Sequence, residues 1–152
     1  MESKTKISTR NLNLYYGENH ALKNINLDLY EHKITAFIGP SGCGKSTLGR
    51  TILRLLEPTS GEILYNGQNI VDYSTKQMKE MRKKMQIIFQ DPSASLDPRM
   101  TVGEIIGEAL DIHKLCSSKA ERTDRIKELL GMVGLNTEHA NRYPHEFSGG
   151  QR

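Results

Sequence analysis

The sequence predicts an α/β protein built from three successive parts. Residues 7–29 alternate apolar and polar side chains, which is typical of antiparallel strands. A short apolar run at 34–38 leads into a glycine-rich segment and then into a helical pattern, which predicts a buried strand, a loop and a helix. From about residue 101 onward, apolar residues recur at helical spacing. We therefore expect an antiparallel β part first and a helical part last.

Turn and capping signals place the individual elements. Gly17-Glu18-Asn19 predicts the turn between the first two strands, and Asn66-Gly67 predicts a tight turn after a strand at 61–65. The helix after the glycine-rich segment is expected over 45–56, and a further strand is expected at 85–89. Three capping boxes predict helix starts, at Ser74 with Gln77, Thr101 with Glu104, and Ser118 with Glu121.

Composition points to one ordinary domain. The chain has 152 residues, 26% of them charged and 36% hydrophobic, with a mean hydropathy of −0.56. It contains no apolar run of the roughly 18 residues that a spanning helix needs, and no secretory signal, so we expect a cytoplasmic protein. The net charge of +3 is small and dispersed, which argues against a nucleic-acid partner. Two cysteines and five histidines lack metal-ligand spacing.

Residues 39–47 read GPSGCGKST, which fits the phosphate-binding pattern G-x-x-x-x-G-K-[ST]. Glycines let such a loop turn its N–H groups inward, and the helix behind it points its positive end at an anion. Lys45 would reach the β- and γ-phosphates, and the Ser46 hydroxyl would bind magnesium. The loop predicts a site for ATP and Mg²⁺ that comprises Gly39, Ser41, Gly42, Cys43, Gly44, Lys45, Ser46 and Thr47. An unrelated glycine-rich turn is the alternative, and Cys43 is either a redox switch or simply a small residue.

Three further elements resemble those of ATP-binding-cassette (ABC) ATPases. The final residues, FSGGQR, resemble the family signature LSGGQ with Phe147 in the first position. Gln90 before Asp91-Pro92 resembles the family's Q-loop, and Tyr16 resembles its aromatic A-loop residue. The resemblance implies that Tyr16 stacks on adenine, with Tyr15 as the rival, and that Lys45 and Gln90 serve catalysis, Gln90 also as a metal ligand. It further implies contacts to nucleotide from the signature residues Ser148, Gly149, Gly150 and Gln151.

This resemblance covers the whole chain and implies a partial ABC ATPase domain over 1–152. Residues 1–90 would form the nucleotide-binding β and P-loop part, and residues 91–152 a helical subdomain that ends at the signature. Members of the family power solute transport through membrane permease subunits, so the chain would lie against the inner face of the cell membrane. The fold expected is a truncated P-loop NTPase of ABC type.

The two ends of the chain resemble different importers. Residues 11–47 look like the ATPases of phosphate importers, whereas residues 87–106 and 142–152 look like those of oligopeptide and dipeptide importers. This mixture predicts a chimera or an engineered recombinant. The solute class expected is phosphate or peptide. An engineered half-domain that binds nucleotide, or merely folds, is the alternative function.

In the family, the Walker B strand, the catalytic glutamate and the switch histidine follow the signature. Without such a carboxylate we expect the chain to retain ATP binding but to hydrolyse ATP slowly. Asp91 after the apolar residues 87–89 could instead be a magnesium-binding Walker B residue, as in a kinase or GTPase. Because the P-loop strand would lack a neighbour, we also expect self-association by strand pairing.

Overall fold

Residues 4–89 and 95–148 are described by a computed structural model, and they fall into an N-terminal unit, Met1–Gln86, and a C-terminal unit, Ile87–Arg152. Several residues singled out by sequence lie outside the described residues, namely Gln90, Asp91, Gly149, Gly150 and Gln151.

The N-terminal unit contains a four-stranded antiparallel sheet. Its strands are β1 (Thr5–Tyr16), β2 (Asn19–Tyr30), β3 (Ser60–Tyr65) and β4 (Gln68–Asn69), in the order β2-β1-β3-β4. The predicted antiparallel start is confirmed, and Gly17 and Glu18 form the turn between β1 and β2. Asn66 and Gly67 have φ angles of 49° and 81°, as the tight hairpin between β3 and β4 requires.

Two helices cover one face of this sheet, α1 (Lys45–Ile52) and α2 (Thr75–Met81). The second begins at the predicted capping box of Ser74 and Gln77. The first ends four residues earlier than the sequence pattern suggests, because Arg54 adopts a φ of 50°. The core of the unit joins strands and helices through Leu12, Leu14, Leu22, Leu48, Ile52, Ile63, Tyr65, Ile70, Met78, Met81 and Met85.

The C-terminal unit is helical, as predicted. It contains α3 (Val102–Ile112), α4 (Lys119–Met132) and two short 3-10 turns, Thr137–Asn141 and Pro144–Glu146. Its core is formed by Leu110, Ile126 and Leu130. None of the helices in the described ranges is long and apolar enough to span a bilayer.

Two expected strands, at 34–38 and 85–89, are absent from the structure. Residues 33–40 are all exposed, with Ile34 at 101% and Ile38 at 96% of full accessibility, and Ile88 reaches 95%. An apolar run predicts that a segment prefers a sheet interior, but a strand forms only where neighbours accept its hydrogen bonds. Among the described residues, no strand pairs with either segment.

The capping box of α3 makes the C-terminal unit sensitive to acid. The Glu104 carboxylate accepts hydrogen bonds from the Thr101 N–H at 2.7 Å and from its hydroxyl at 3.0 Å. These bonds lower the pKa of Glu104. A carboxyl whose pKa is lower in the folded state stabilises the fold above its unfolded pKa, and this contribution is lost as pH falls through the folded pKa.

The Glu104→Gln variant is therefore expected to be less stable than the parent chain near neutral pH, and the two should converge in acid. Urea unfolding of both proteins from about pH 7 to about pH 3 measures the difference, since carboxyl groups titrate near pH 4.3. Glu108→Gln, four residues along the same helix, is the matched control. A difference that stays constant across this range would contradict the role given to the Glu104 carboxylate.

Candidate functional site

The loop between residues 39 and 44 ends at the N-terminus of α1. The N-cap residue is Gly44, with φ 94°, and no side chain caps the helix there. The first turn of the helix contains no acidic residue. The first N–H groups of a helix have no acceptor inside the helix, and they carry its positive end. This end of α1 is therefore available to an anion.

Glycine is required at two positions of the loop. Gly42 and Gly44 both have positive φ angles, 79° and 94°, that side chains with a Cβ rarely adopt. A Cβ on Gly44 would also lie 3.3 Å from the Ala21 carbonyl oxygen and from a methyl group of Leu22. The loop thus packs directly against β2.

The Lys45 ammonium lies over its own loop. It donates hydrogen bonds to the carbonyl oxygens of Gly39 and Pro40, both at 2.7 Å, and lies 3.3 Å from the Cys43 sulfur. These contacts hold the positive charge of Lys45 against the backbone of the loop. Ser46, the next residue, is exposed and able to offer its hydroxyl to a ligand.

A cavity of about 460 Å³ connects the loop to the β1–β2 hairpin. Its walls come from the hairpin turn, from β2 and from the loop with the first turn of α1. The lining residues are Tyr16, Asn19, His20, Ala21, Lys23, Ile25, Gly42, Cys43, Gly44 and Thr47. Its volume falls within the range of about 300–1,000 Å³ that small-molecule and cofactor sites occupy. None of the described residues in this lining is acidic.

The two candidate aromatic residues are in different environments. The Tyr15 ring stacks on His20, with the ring centroids 3.9 Å apart and the planes 9° from parallel. Tyr16 lines the cavity and keeps 48% of its surface exposed. A flat base entering the cavity would therefore meet Tyr16, whereas the Tyr15 ring already has a stacking partner.

The structure brings together most of the predicted loop site. Tyr16 shares the cavity with Gly42, Cys43, Gly44 and Thr47. Four more predicted residues, Gly39, Ser41, Lys45 and Ser46, lie in the same loop or the first turn of α1. Ser148 is an exposed residue of the C-terminal unit and follows the buried Phe147. In the described ranges, no group of three or more His, Cys, Asp and Glu residues could hold a metal ion.

Sequence reasoning missed the cavity residues supplied by the hairpin and β2, which are Asn19, His20, Ala21, Lys23 and Ile25. No motif marks them, and they precede the loop by about twenty residues in the chain. The alternation of β2 could have suggested which side chains share a face.

The C-terminal unit carries a groove of its own, with a volume of about 960 Å³. It lies beside the end of α3 and along α4, and its lining combines apolar side chains with three acidic residues and one arginine. Its lining comprises Leu110, Leu115, Cys116, Glu121, Asp124, Arg125, Glu128 and Leu129.

Comparison with known proteins gives a consistent result. The family model described as ABC transporter matches residues 22–152. The chain is 58% identical to the oligopeptide transport ATP-binding protein OppF of Bacillus subtilis, over 90% of this chain and 45% of that protein. It is 46% identical to the dipeptide transport ATP-binding protein DppF of Lactococcus lactis, over 99% of this chain and 51% of that protein. The chain thus spans about half the length of the curated relatives it matches.

One solved structure is similar in fold to this chain and contains bound ligands of its own. The dimeric ATP-binding cassette MJ0796, in a post-hydrolysis state bound to ADP and Pi, superposes with a TM-score of 0.75 at 32% identity. The superposition covers 95% of this chain and 64% of that one.

These findings do not support a chimera. A peptide-transport relative is similar over 99% of the chain, including the residues that resemble phosphate importers. Both ends of the chain are therefore similar to one peptide-transport protein, and the phosphate-importer resemblance is not shown by these comparisons.

Proposed function

We infer the function of this chain from its family and its cavity: the chain belongs to the ABC transporter family of ATP-binding domains, and we propose that it captures ATP for an importer. The observation that carries the proposal is the single cavity that joins Tyr16 to the phosphate-binding loop. This cavity offers an aromatic face at one wall and helix N–H groups with a cation near the other.

Each part of the site would hold a different part of the nucleotide. The Tyr16 ring would stack on adenine, and the N–H groups of the loop and of the first turn of α1 would hold the phosphates. Lys45 would turn from the carbonyl oxygens of Gly39 and Pro40 toward the β- and γ-phosphates. Magnesium neutralises phosphate charge when it is bound, and the Ser46 hydroxyl would be its ligand from this loop.

We propose capture rather than fast turnover for this chain. Hydrolysis needs a group that orients the attacking water and carboxylates that hold the metal. Within residues 4–89 and 95–148, no acidic residue lines the cavity. Gln90, the predicted Q-loop residue with proposed catalytic and metal roles, lies outside the described residues.

The solute that the parent importer moves is proposed to be a peptide. The relatives that match this chain over 90% and 99% of its length are named as oligopeptide and dipeptide transport ATP-binding proteins. The groove along α4 is proposed as the surface that meets a membrane permease subunit, because its mixture of apolar and charged side chains suits a protein partner. The chain would then lie at the inner face of the membrane.

A second copy of the chain is proposed as a further partner. The signature residues Ser148, Gly149, Gly150 and Gln151 would contact nucleotide held by that copy, since the matched cassette is dimeric. Residues 34–38 offer a separate contact, because their apolar side chains are exposed and their backbone pairs with no strand in the described part of the chain.

Substituting the two tyrosines tests whether the cavity binds the base. Tyr16→Ala is expected to weaken MgATP binding by about tenfold, since aromatic stacking on a base is worth about 1–3 kcal/mol. Tyr15→Ala, the matched control, is expected to change the affinity less than about threefold, because it removes the ring that stacks on His20 and not a ring that lines the cavity. Calorimetric titration of MgATP into the three proteins gives the affinities. A larger loss for Tyr15→Ala than for Tyr16→Ala would contradict the assignment.

A further inference from the structure

We propose that Lys23 is a second cationic contact for the polyphosphate of the bound nucleotide, in addition to Lys45. The proposal rests on the proposed capture of ATP in the cavity and adds a residue to it that no sequence motif marks. It is carried by the position of Lys23 in the wall of the cavity that the phosphate-binding loop also lines.

Among the described residues that line the cavity, Lys23 is the one with a full charge. The other nine lining residues are glycines and other uncharged side chains, together with His20. The phosphate-binding loop contributes Gly42, Cys43 and Gly44 to the same lining, and Gly44 packs against Ala21 and Leu22, directly before Lys23. A lysine here shares one cavity with the loop that would hold the phosphates, and its flexible stem lets the ammonium follow them.

A bulge in β2 lies at this lysine. On β1 the paired residues Leu12 and Leu14 are two apart, whereas their partners on β2, Ile25 and Leu22, are three apart. The extra residue on β2 falls at Lys23 and Asn24, and Asn24 has a φ of 49°. A bulge breaks the strict alternation of a strand and redirects a side chain, and bulges are common beside functional sites.

The Asn13 side chain fixes this bulge from the neighbouring strand. Its oxygen accepts a hydrogen bond from the Asn24 N–H at 2.9 Å, and its amide nitrogen donates to the Asn11 carbonyl at 2.8 Å. Because the Asn24 N–H can only donate, the Asn13 oxygen is identified. The His20 Nε2, 2.9 Å from the same oxygen, must then be a donor as well. Asn13 thus ties together the bulge and a second residue of the cavity wall.

This arrangement predicts an effect that depends on the charge of the ligand. An ammonium beside the phosphates attracts ATP more strongly than ADP, and it adds nothing for adenosine. A residue that only shaped the base or ribose pocket would affect all three ligands equally. Asn13 is a positioning residue in this account, because it acts through the direction of Lys23.

The test compares four proteins by calorimetric titration with MgATP, MgADP and adenosine. Lys23→Met is expected to weaken MgATP binding about fivefold to tenfold, MgADP binding less, and adenosine binding not at all. Lys23→Arg should stay within about twofold of the parent because it keeps the charge. Lys76→Met removes an equal charge from an exposed position of α2 that is not in the cavity lining, and it should change nothing.

A double-mutant cycle with Asn13→Ala separates the positioning role from general loosening of the sheet. If Asn13 acts through Lys23, Asn13→Ala weakens MgATP binding in the parent but adds nothing in the Lys23→Met background. Equal MgATP affinities for Lys23→Met and Lys76→Met would overturn the proposal, as would an equal loss for adenosine and MgATP. If the parent chain itself binds no MgATP, the proposed function fails instead, so the two failures are distinguishable.

Discussion

Lys45→Ala is expected to weaken MgATP binding about 100-fold, which corresponds to about 2.7 kcal/mol at 25 °C. Its ammonium lies 2.7 Å from the carbonyl oxygens of Gly39 and Pro40, so the positive charge is already beside the loop in the absence of a ligand. A hydrogen bond to a charged group contributes about 1.5–3 kcal/mol, so the expected loss corresponds to one such bond near the upper end of that range. Calorimetric titration of the parent and the variant measures the change.

The control for this prediction is Lys76→Ala, which removes the same charge from the exposed side of α2. It corrects for the general attraction between a protein of net charge +3 and a polyanion. Thermal unfolding of Lys45→Ala shows whether the loop contacts of Lys45 also support the fold. Equal MgATP affinities for the Lys45→Ala and Lys76→Ala proteins would mean that the loop is not the phosphate site.

The parent chain is expected to self-associate, and the double variant Ile34→Lys, Ile38→Lys is expected to stay monomeric. Both isoleucines are almost fully exposed, at 101% and 96%, on a segment whose backbone pairs with no strand in residues 4–89. Covering one such side chain is worth about 1.5–3 kcal/mol, so two from each copy supply about 6–12 kcal/mol. That sum is comparable with the cost of association, of about 4–15 kcal/mol, before strand hydrogen bonds are added.

Sedimentation velocity over a wide range of protein concentration tests this expectation. The parent chain should show a sedimentation coefficient that rises with concentration, and the double variant a constant one, because lysine on an exposed edge opposes pairing. Ile112→Lys, at a half-exposed position of the C-terminal unit, is the control and should behave like the parent. A parent chain that remains monomeric at every concentration would contradict the account.

Local signals predicted the elements that depend on local interactions. The Asn66-Gly67 hairpin and the capping boxes at Ser74 and Thr101 are all present, because turns and caps are closed by residues within a few positions of one another. The box at Ser118 is only half formed. The Glu121 N–H donates to the Ser118 hydroxyl, whereas the Glu121 carboxylate accepts from Ser117 rather than from Ser118.

The strand expected at 34–38 shows where sequence pattern is insufficient. Its apolar run is what a strand buried in a parallel sheet requires, but pairing depends on neighbours from distant parts of a polypeptide or from another copy. In the described residues no neighbour pairs with the segment, and it forms no strand. A sequence pattern shows which secondary structure a segment prefers. The tertiary contacts decide whether that structure forms.

The site was predictable to the extent that a motif encodes it. Gly39, Gly44 and Lys45 of the loop follow from the phosphate-binding pattern, and Gly44 has the positive φ that favours glycine, whereas Gly42 has a positive φ at a position that the pattern leaves open. Tyr16 is proposed over Tyr15 because the Tyr15 ring already stacks on His20, a contact that the sequence does not show. No motif marks Lys23, although it shares the cavity lining with Asn19, Ala21 and Ile25 at every second position of β2.

The central claim is that this chain captures ATP at the cavity beside residues 39–47. Its most direct test is titration of MgATP into the unmodified chain, with phosphate release followed in the same samples. The account predicts saturable binding with one nucleotide per chain, and phosphate release no faster than from the Lys45→Ala protein. Absence of saturable binding would contradict the assignment of the cavity. Saturable binding with rapid Lys45-dependent phosphate release would contradict the proposal that the chain captures nucleotide without fast turnover.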